Sequence, residues 1–597
     1  MTSLYRIKAF IVAAAVGCLS VGFSSCSDDD PALPGTGIEM AQWTDVNDVD
    51  INGQILVYEF EAPADWSATA ADDEWVHVLT PEGAKGLSSL RVKVDPNDGI
   101  LGRSSTVTVK VDGYAEPCVL TLRQGDGVLE KGDGRYREVN KWIYEYMEER
   151  YLWNDHVPDL LLDYTLDYQQ FLSRMLNGIA EFDNVNAEDG HWADGKRQYW
   201  YTNIDSSAPL SRTAGDTNTD SGLLIMGASL TGDDGADHVG LAVLWCTPGS
   251  PADKENIKRG HFISKVNNTE ITMENYRELG TRALNGNCTL DINDVVFSSS
   301  GIATITPVQS IFIGKYSYTD PSIYASKILE LKNGKKVAYI NYMGFYMTYD
   351  SELIDLFGQF KDAGVDDLII DLRYNPGGHV LSSTVLGTLV AGSAHKGEIY
   401  VRTTYNATRT AAGEVGDYKI GEAANPEQVA GYDKIPEALN KALGLNTVYV
   451  ITTENTASAS ELLINGLRGL GITVNTIGMT TNGKNVGMEG IRYTYRNYSF
   501  EFYPITFYCQ NAQGFKDYST GFKPDFEFDD SKFYPCDFGT ENDAFTYYAL
   551  QWISSGSKPS VASGSRAAHG NITPLKMSSD MLAPMTRRLG GSIQWRD

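Results

Sequence analysis

No run of eighteen or more strongly apolar residues occurs in this 597-residue chain, which argues against a multi-span membrane protein. Positive charge is scarce: 49 Lys and Arg face 77 Asp and Glu, for a formal charge of -28. So acidic a surface repels phosphate backbones and sets nucleic-acid binding aside. Cysteine is scarce as well, with seven in the chain, no CxxC spacing and no His partners at ligand distances. A zinc site is therefore not expected, and no metal or other cofactor is implied. A Gly-x-Ser-x-Gly nucleophile elbow is also missing. What is present is 42% apolar and 21% charged residues, enough to form packed cores over most of the length. Length alone suggests about four domains.

The first residues carry an address. Arg6 and Lys8 precede an apolar stretch from Ala9 to Phe23, then Ser24, Ser25 and Cys26. This is the layout of a signal peptide over residues 1–25. Cys26 followed by Ser27-Asp28-Asp29-Asp30 resembles a bacterial lipoprotein start, and the aspartates resemble the surface-export signal of Bacteroidetes-type lipoproteins. The resemblance implies a lipid on Cys26, an acidic linker over 26–38, and an extracytoplasmic chain anchored to the outer membrane. It leaves the membrane face open. Five cysteines remain beyond Cys26; Cys246 beside Val243-Leu244-Trp245 reads as buried, and Cys509 with Cys536 is the one disulfide worth testing.

Residues 39–124 read as all β, with alternating runs such as Leu90-Arg91-Val92-Lys93-Val94 between Asp, Asn, Gly and Pro turns. That spacing suits a small sandwich. Trp66, Trp75, Asp95-Pro96-Asn97, Arg103 and a last strand ending at Gln124 resemble the BACON domain, which is Ig-like. The resemblance implies either glycan attachment or a spacer from the membrane. A Gly-rich linker covers 125–133, and 134–219 is expected to be helical, from Val139, Ile143, Tyr146, Met147 and Tyr151 and a second helix from Tyr168 to Leu176.

Residues 220–297 run from Ser221-Gly222-Leu223-Leu224-Ile225 through Thr247-Pro248-Gly249-Ser250-Pro251-Ala252-Asp253 to the strand Phe262–Asn267. The order resembles a PDZ domain, with Glu255-Asn256 and His261 as departures. It implies that the amides near Gly222, Leu223 and Leu224 hold the C-terminal carboxylate of a peptide added as a strand.

Three segments of 298–553 fit one chemistry. Asp367 to Leu372 is a buried-type strand entering Arg373-Tyr374-Asn375-Pro376-Gly377-Gly378, with a helix expected from about Val380; glycines there let an N–H approach a reacting oxygen. Val448 to Thr452 is a second strand, followed by Thr456-Ala457-Ser458-Ala459-Ser460-Glu461, which places Ser458 near a helix N-terminus where a developing anion is favoured. The Ala459 N–H is the natural oxyanion donor. In the third, Gly483-Lys484 offers an amine that must lose about 3 pKa units, roughly 4 kcal/mol of desolvation, to act as a base.

These motifs, in this order and with a PDZ-like segment upstream, resemble the C-terminal processing peptidases, or tail-specific proteases, over about residues 134–552. Thr520 to Asp525 matches that family's closing strand. The resemblance implies a crotonase-like (ClpP/crotonase) α/β peptidase core within a multidomain α/β and all-β chain. It also implies Ser458 as nucleophile, Lys484 as general base, an oxyanion hole from Gly377 or Gly378 with Ala459, and protein or peptide substrates. Glu461 reads as structural. Many members carry Gln four residues after the lysine; here that residue is Met488. A P-loop reading of Gly478 to Lys484 fails because Asn485 replaces Ser or Thr and a strand follows. His379 in a triad with Ser458 and Ser460 as the nucleophile are the minor alternatives. The rival class is a catalytically silent peptide- or glycan-binding lipoprotein. Residues 554–597, rich in Ser, Gly and Pro, are expected to be a flexible tail.

Overall fold

The computed structural model describes residues 38, 46–49, 53–95, 103–124, 134–157, 163–180, 184–193, 196–206, 217–298, 300–424, 432–495, 498–530, 533–560 and 572–575. Cys26 and the expected signal peptide lie outside them. Two compact units emerge: residues 1–140 with 161–177, and residues 141–160 with 178–597. No helix among the described residues is long and apolar enough to cross a membrane.

In the first unit, one sheet holds Val46–Val49, Cys118–Gln124, Arg103–Val111, Trp66–Ala70 and Glu82–Gly83, and a second holds Gln54–Ala62, Gly86–Val94 and Val76–Val78. Strict alternation creates the shared core. Val107, Val109 and Val111 point inward from one sheet and Leu90, Val92 and Val94 from the other, with Trp66 and Trp75 among them. The Arg103 guanidinium lies 4.2 Å over the Trp75 ring, and Arg103 and Gln124 each donate to the Asp95 carbonyl at 2.8 Å. Of the residues that the sequence singled out, Trp75, Asp95, Arg103 and Gln124 thus form one clasp at the edge of the core, whereas Pro96 and Asn97 lie outside the described residues.

Helices form at Arg137–Arg150 and Tyr168–Ala180, with a short helical turn at Asn154–His156, but four described segments of 134–219 depart from the helical expectation. Gly190–Ala193, Lys196–Trp200, Asn203–Ser206 and Thr217–Asp220 are strands. The aromatic stretch Tyr199-Trp200-Tyr201 favours a pleated surface, and Asn203–Ser206 is paired by Tyr498–Tyr503 from far along the chain.

The second unit is centred on a six-stranded sheet ordered Ile323–Glu330, Lys336–Tyr342, Asp367–Asp371, Thr447–Thr452, Thr473–Gly478 and Phe526–Glu527. Its first pair is antiparallel and the others are parallel. Both faces are buried, which explains the unbroken apolar runs. Leu368, Ile370, Val448 and Val450 face helices Asp350–Ala363, Val380–Ala391 and Ala459–Gly469; Ile369, Tyr449, Ile451 and Ile477 face helix Ala544–Ser555. A smaller sheet is ordered Val415–Lys419, Ile399–Thr404, Ile505–Gln510 and Val486–Met488, its strands interleaved in sequence with those of the larger one.

Residues 223–313 form an antiparallel sheet with helix Tyr276–Asn285 packed on the strand Leu223–Thr231. Its Trp245 and Leu224 join the same cluster as Tyr339 and Phe545. Arg259 reaches across to the Cys536 carbonyl at 2.7 Å and to Asp543 at 3.9 Å. Two expectations are corrected here. Cys509 and Cys536 are both free thiols: Cys509 is buried on the strand Ile505–Gln510, whereas Cys536 sits in the loop that holds Arg259. Within the segment expected to be a flexible tail, helix Ala544–Ser555 runs into its start and Thr573–Leu575 adds a strand beside Leu223–Thr231.

Candidate active site

Two strand-to-helix loops meet at Ser458. The strand Asp367–Asp371 leads into the Arg373-to-Gly378 turn, and the neighbouring strand Thr447–Thr452 leads into the loop before helix Ala459–Gly469. Hydrogen bonds stitch the two loops together. Thr456 Oγ1 donates to the Leu372 carbonyl at 2.9 Å, and the Asn375 carbonyl accepts from Ala457 N–H at 3.2 Å and Ser460 Oγ at 3.0 Å. Ser460 is therefore buried and engaged, unlike Ser458, which is half-buried.

Ser458 is strained. Its φ of 56° and ψ of -116° put a residue with a Cβ where glycine is at home. It sits at the helix N-cap, where the first N–H groups and the dipole face outward. Gly377 presses on it: a Cβ there would lie 2.7 Å from Ser458 Cβ and 2.8 Å from Ala459 N. Gly378, at φ 139°, has no room either, since a Cβ would meet the Phe345 carbonyl oxygen at 2.2 Å. The Gly377 N–H is taken by Asn375 Oδ1 at 2.8 Å, which removes it from the expected pair of alternatives as an oxyanion donor. Among the described residues the N–H groups of Gly378 and Ala459 have no acceptor.

Beneath the loop lies a buried ion cluster. Arg373 forks onto Asp543 at 2.8 and 2.7 Å and meets Asp371 at 2.8 Å, and this holds the Asp543 carboxyl down at about 2 despite its burial. The cluster anchors the turn at its first residue, Arg373.

Glu461 ties the serine loop to the lysine loop. Its Oε2 accepts from Ser458 N–H at 3.0 Å and Lys484 N–H at 2.9 Å, and its Oε1 from Thr481 Oγ1 at 2.6 Å and Gly483 N–H at 2.7 Å. Burial pushes this carboxyl up to about 7 while the four donors pull it back. Lys484 itself is lowered to about 8 by desolvation, against the pull of Asp189, Glu461 and Cys509. Its Nζ lies 4.9 Å from the Tyr201 ring centroid and 4.0 Å from Met488 Sδ. Among the described residues no hydrogen bond joins Nζ to Ser458 Oγ.

Tyr201 and Asp189 were missed from the sequence. Tyr201 donates to Asn482 Oδ1 at 2.8 Å across 281 positions, and Asp189 is buried under Tyr151 and Thr202, each donating to it at 2.6 Å. No local pattern marks such residues; only the fold brings them to the lysine. His379 starts helix Val380–Ala391, and its N–H donates to the Phe345 carbonyl at 2.8 Å. Among the described residues no carboxylate is hydrogen-bonded to its ring, so a triad lacks its third member.

The peptide-binding residues expected at 222–224 are differently engaged. Gly222 N–H donates to Asp220 Oδ1 at 2.9 Å and Leu223 N–H to Ser221 Oγ at 3.3 Å, so an incoming carboxylate would have to displace both. Leu224 is fully buried against the core of the six-stranded sheet. Among the described residues no group of three or more His, Cys, Asp or Glu side chains could hold a metal ion.

Comparison with known proteins follows the same line. Residues 336–528 match Peptidase family S41, and residues 138–192 match the Peptidase S41 N-terminal domain. A carboxyl-terminal-processing protease of Picosynechococcus sp. is 25% identical over 246 residues, 41% of this chain and 51% of that protein. The chain thus spans about half the length of this curated relative. A solved structure from Bacteroides fragilis, assigned to the S41 proteases, is 25% identical with a TM-score of 0.55, covering 70% of this chain and 97% of that one. Together these findings make the chain similar to Peptidase family S41 over those residues.

Proposed function

We propose that the chain is a serine endopeptidase of the C-terminal processing type, with Ser458 as nucleophile and Lys484 as general base. The observation that carries this reading is the strained Ser458 at a helix N-terminus, flanked by the unengaged N–H groups of Gly378 and Ala459. Neutral Lys484 takes the Ser458 proton as Oγ attacks the scissile carbonyl carbon. The displaced electron pair goes to the carbonyl oxygen, held by the two N–H groups. Collapse expels the amine, which takes the proton from the lysine ammonium and leaves an ester on Ser458. Water, deprotonated by Lys484, then attacks that ester; collapse frees the acid and returns the proton to Oγ. Glu461 keeps the two loops in register, and desolvation in the buried site around Tyr201 brings the amine close enough to neutrality to act as a base near pH 8.

Around this centre we place a PDZ-like groove along Leu223–Thr231, which captures an extended substrate segment by strand addition. We also place a BACON-like sandwich in residues 39–124, serving as spacer or glycan contact, and a lipid at Cys26 that anchors the chain outside the cytoplasm at the outer membrane.

A silent peptide- or glycan-binding lipoprotein is the second reading. It is favoured by one contact, since Lys484 Nζ is set against Met488 Sδ rather than Ser458 Oγ. The two separate in one assay: cleavage of a disordered test protein with a free apolar C-terminus by the parent chain, Ser458→Ala and Lys484→Ala. Cutting by the parent alone supports the dyad. Silence of all three with retained peptide binding favours the second reading, and cutting by Lys484→Ala refutes the base and turns attention to His379.

A further inference from the structure

Without Thr573–Leu575, the strand Leu223–Thr231 would be the edge of its sheet, with one row of backbone groups open to an added strand. That row is taken by the chain itself. Thr573, Pro574 and Leu575 pair antiparallel with Ser229, Ala228 and Gly227, so each step along the segment moves one residue toward Leu223. This is the direction a captured peptide would follow toward Gly222. The side chains anchor on both faces. Ile572 is buried with Ala228, Leu230 and Phe262, whereas Leu575 packs with Tyr276 of helix Tyr276–Asn285. Gly227 makes the room: a Cβ there would lie 3.0 Å from Leu575 Cβ and 2.8 Å from Tyr276 Cδ2.

We propose that residues 572–575 are a built-in occupant of the peptide groove, which a substrate segment must displace before it is held for cleavage. This rests on the strand-addition part of the reading above. The occupant is made to yield. It pairs over three residues only, a short stretch of the edge that Leu223–Thr231 offers. A longer segment with an apolar residue facing Tyr276 has the same anchor and more ladder bonds along Leu223–Thr231, so it outcompetes the tail. The groove therefore selects extended apolar segments and stays closed to weaker ones.

The test reads binding rather than cleavage, on full chains carrying Ser458→Ala. The probe is a fluorescein-labelled peptide of residues 568–578 with Pro574 replaced by valine, followed by anisotropy. The expected result is at least tenfold tighter binding to Leu575→Asp than to the otherwise unchanged chain, because the tethered segment no longer competes. Equal affinity overturns the proposal. A second full chain carries Ser229→Cys with Thr573→Cys, directly opposite each other. Oxidation should abolish probe binding and reduction restore it; an oxidised chain that binds as well as the reduced one overturns the proposal even if Leu575→Asp fails to fold. Should the probe bind no chain, strand capture itself falls and this inference with it, whereas cleavage by a chain with intact Ser458 tests the peptidase chemistry separately.

Discussion

Replacing Met488 by glutamine should change the pH at which the chain works. Lys484 lies at about 8 because its ammonium is poorly solvated, with Met488 Sδ at 4.0 Å as a weak acceptor. Only the neutral amine can take the Ser458 proton, so the rate rises with pH through a midpoint near this value. At pH 7 about a tenth of the lysine is neutral, against less than a thousandth for an unperturbed one. The amide oxygen of Met488→Gln would accept from the ammonium. A hydrogen bond to a charged group is worth about 1.5–3 kcal/mol. The neutral amine recovers part of that, which leaves a difference of roughly 1–2 kcal/mol, or about one pKa unit. The ammonium form is stabilised, so the midpoint moves up to about 9 and kcat/KM at pH 7 falls about tenfold. The plateau at high pH should hold or rise, as the amine is better oriented. A pH–rate profile on a fluorogenic peptide, from about pH 6 to about pH 10, measures both effects. A midpoint that stays in place or moves down refutes the argument, since the titrating group would then not be an amine beside residue 488.

Two further outcomes follow from the geometry. Gly378→Ala drives a Cβ toward the Phe345 carbonyl and misaims the free N–H, so kcat should fall by about 10²–10³ while probe affinity in the groove stays unchanged; a normal kcat would remove Gly378 from the oxyanion hole. Arg373→Met removes the forked cationic partner of the buried Asp371 and Asp543, leaving Asp543 only the longer contact to Arg259, and should cost about 3–5 kcal/mol, read by calorimetry; an unchanged Tm would mean that the cluster does not anchor the turn.

Much of the layout was legible because it is local. The apolar run Asp367 to Leu372 followed by two glycines predicts a strand, a turn and a helix, and helix Val380–Ala391 starts where that pattern puts it. The run Val448 to Thr452 and the small residues before Glu461 do the same for helix Ala459–Gly469. Glu461 read only as structural; its role as a four-donor clamp emerges from two loops more than twenty residues apart. Asn203–Ser206 was read as helix because its partner, Tyr498–Tyr503, lies far along the chain and leaves no local period, whereas Gly190–Ala193 and Lys196–Trp200 pair with each other.

Amino-acid order by itself determined which segments carry the chemistry: strand, tight turn and helix arise from apolar continuity, glycine freedom and capping, all of which act within a few residues. Tertiary structure alone decided how that chemistry is tuned. Lys484 is lowered to about 8 by a wall that includes Tyr201, and Gly377 loses its N–H to Asn375 while Gly378 keeps its own free. Thr573–Leu575 is a strand because an unpaired sheet edge meets it, not because three residues can specify one. Desolvation and strand pairing depend on what lies across the contact, and sequence distance conceals that.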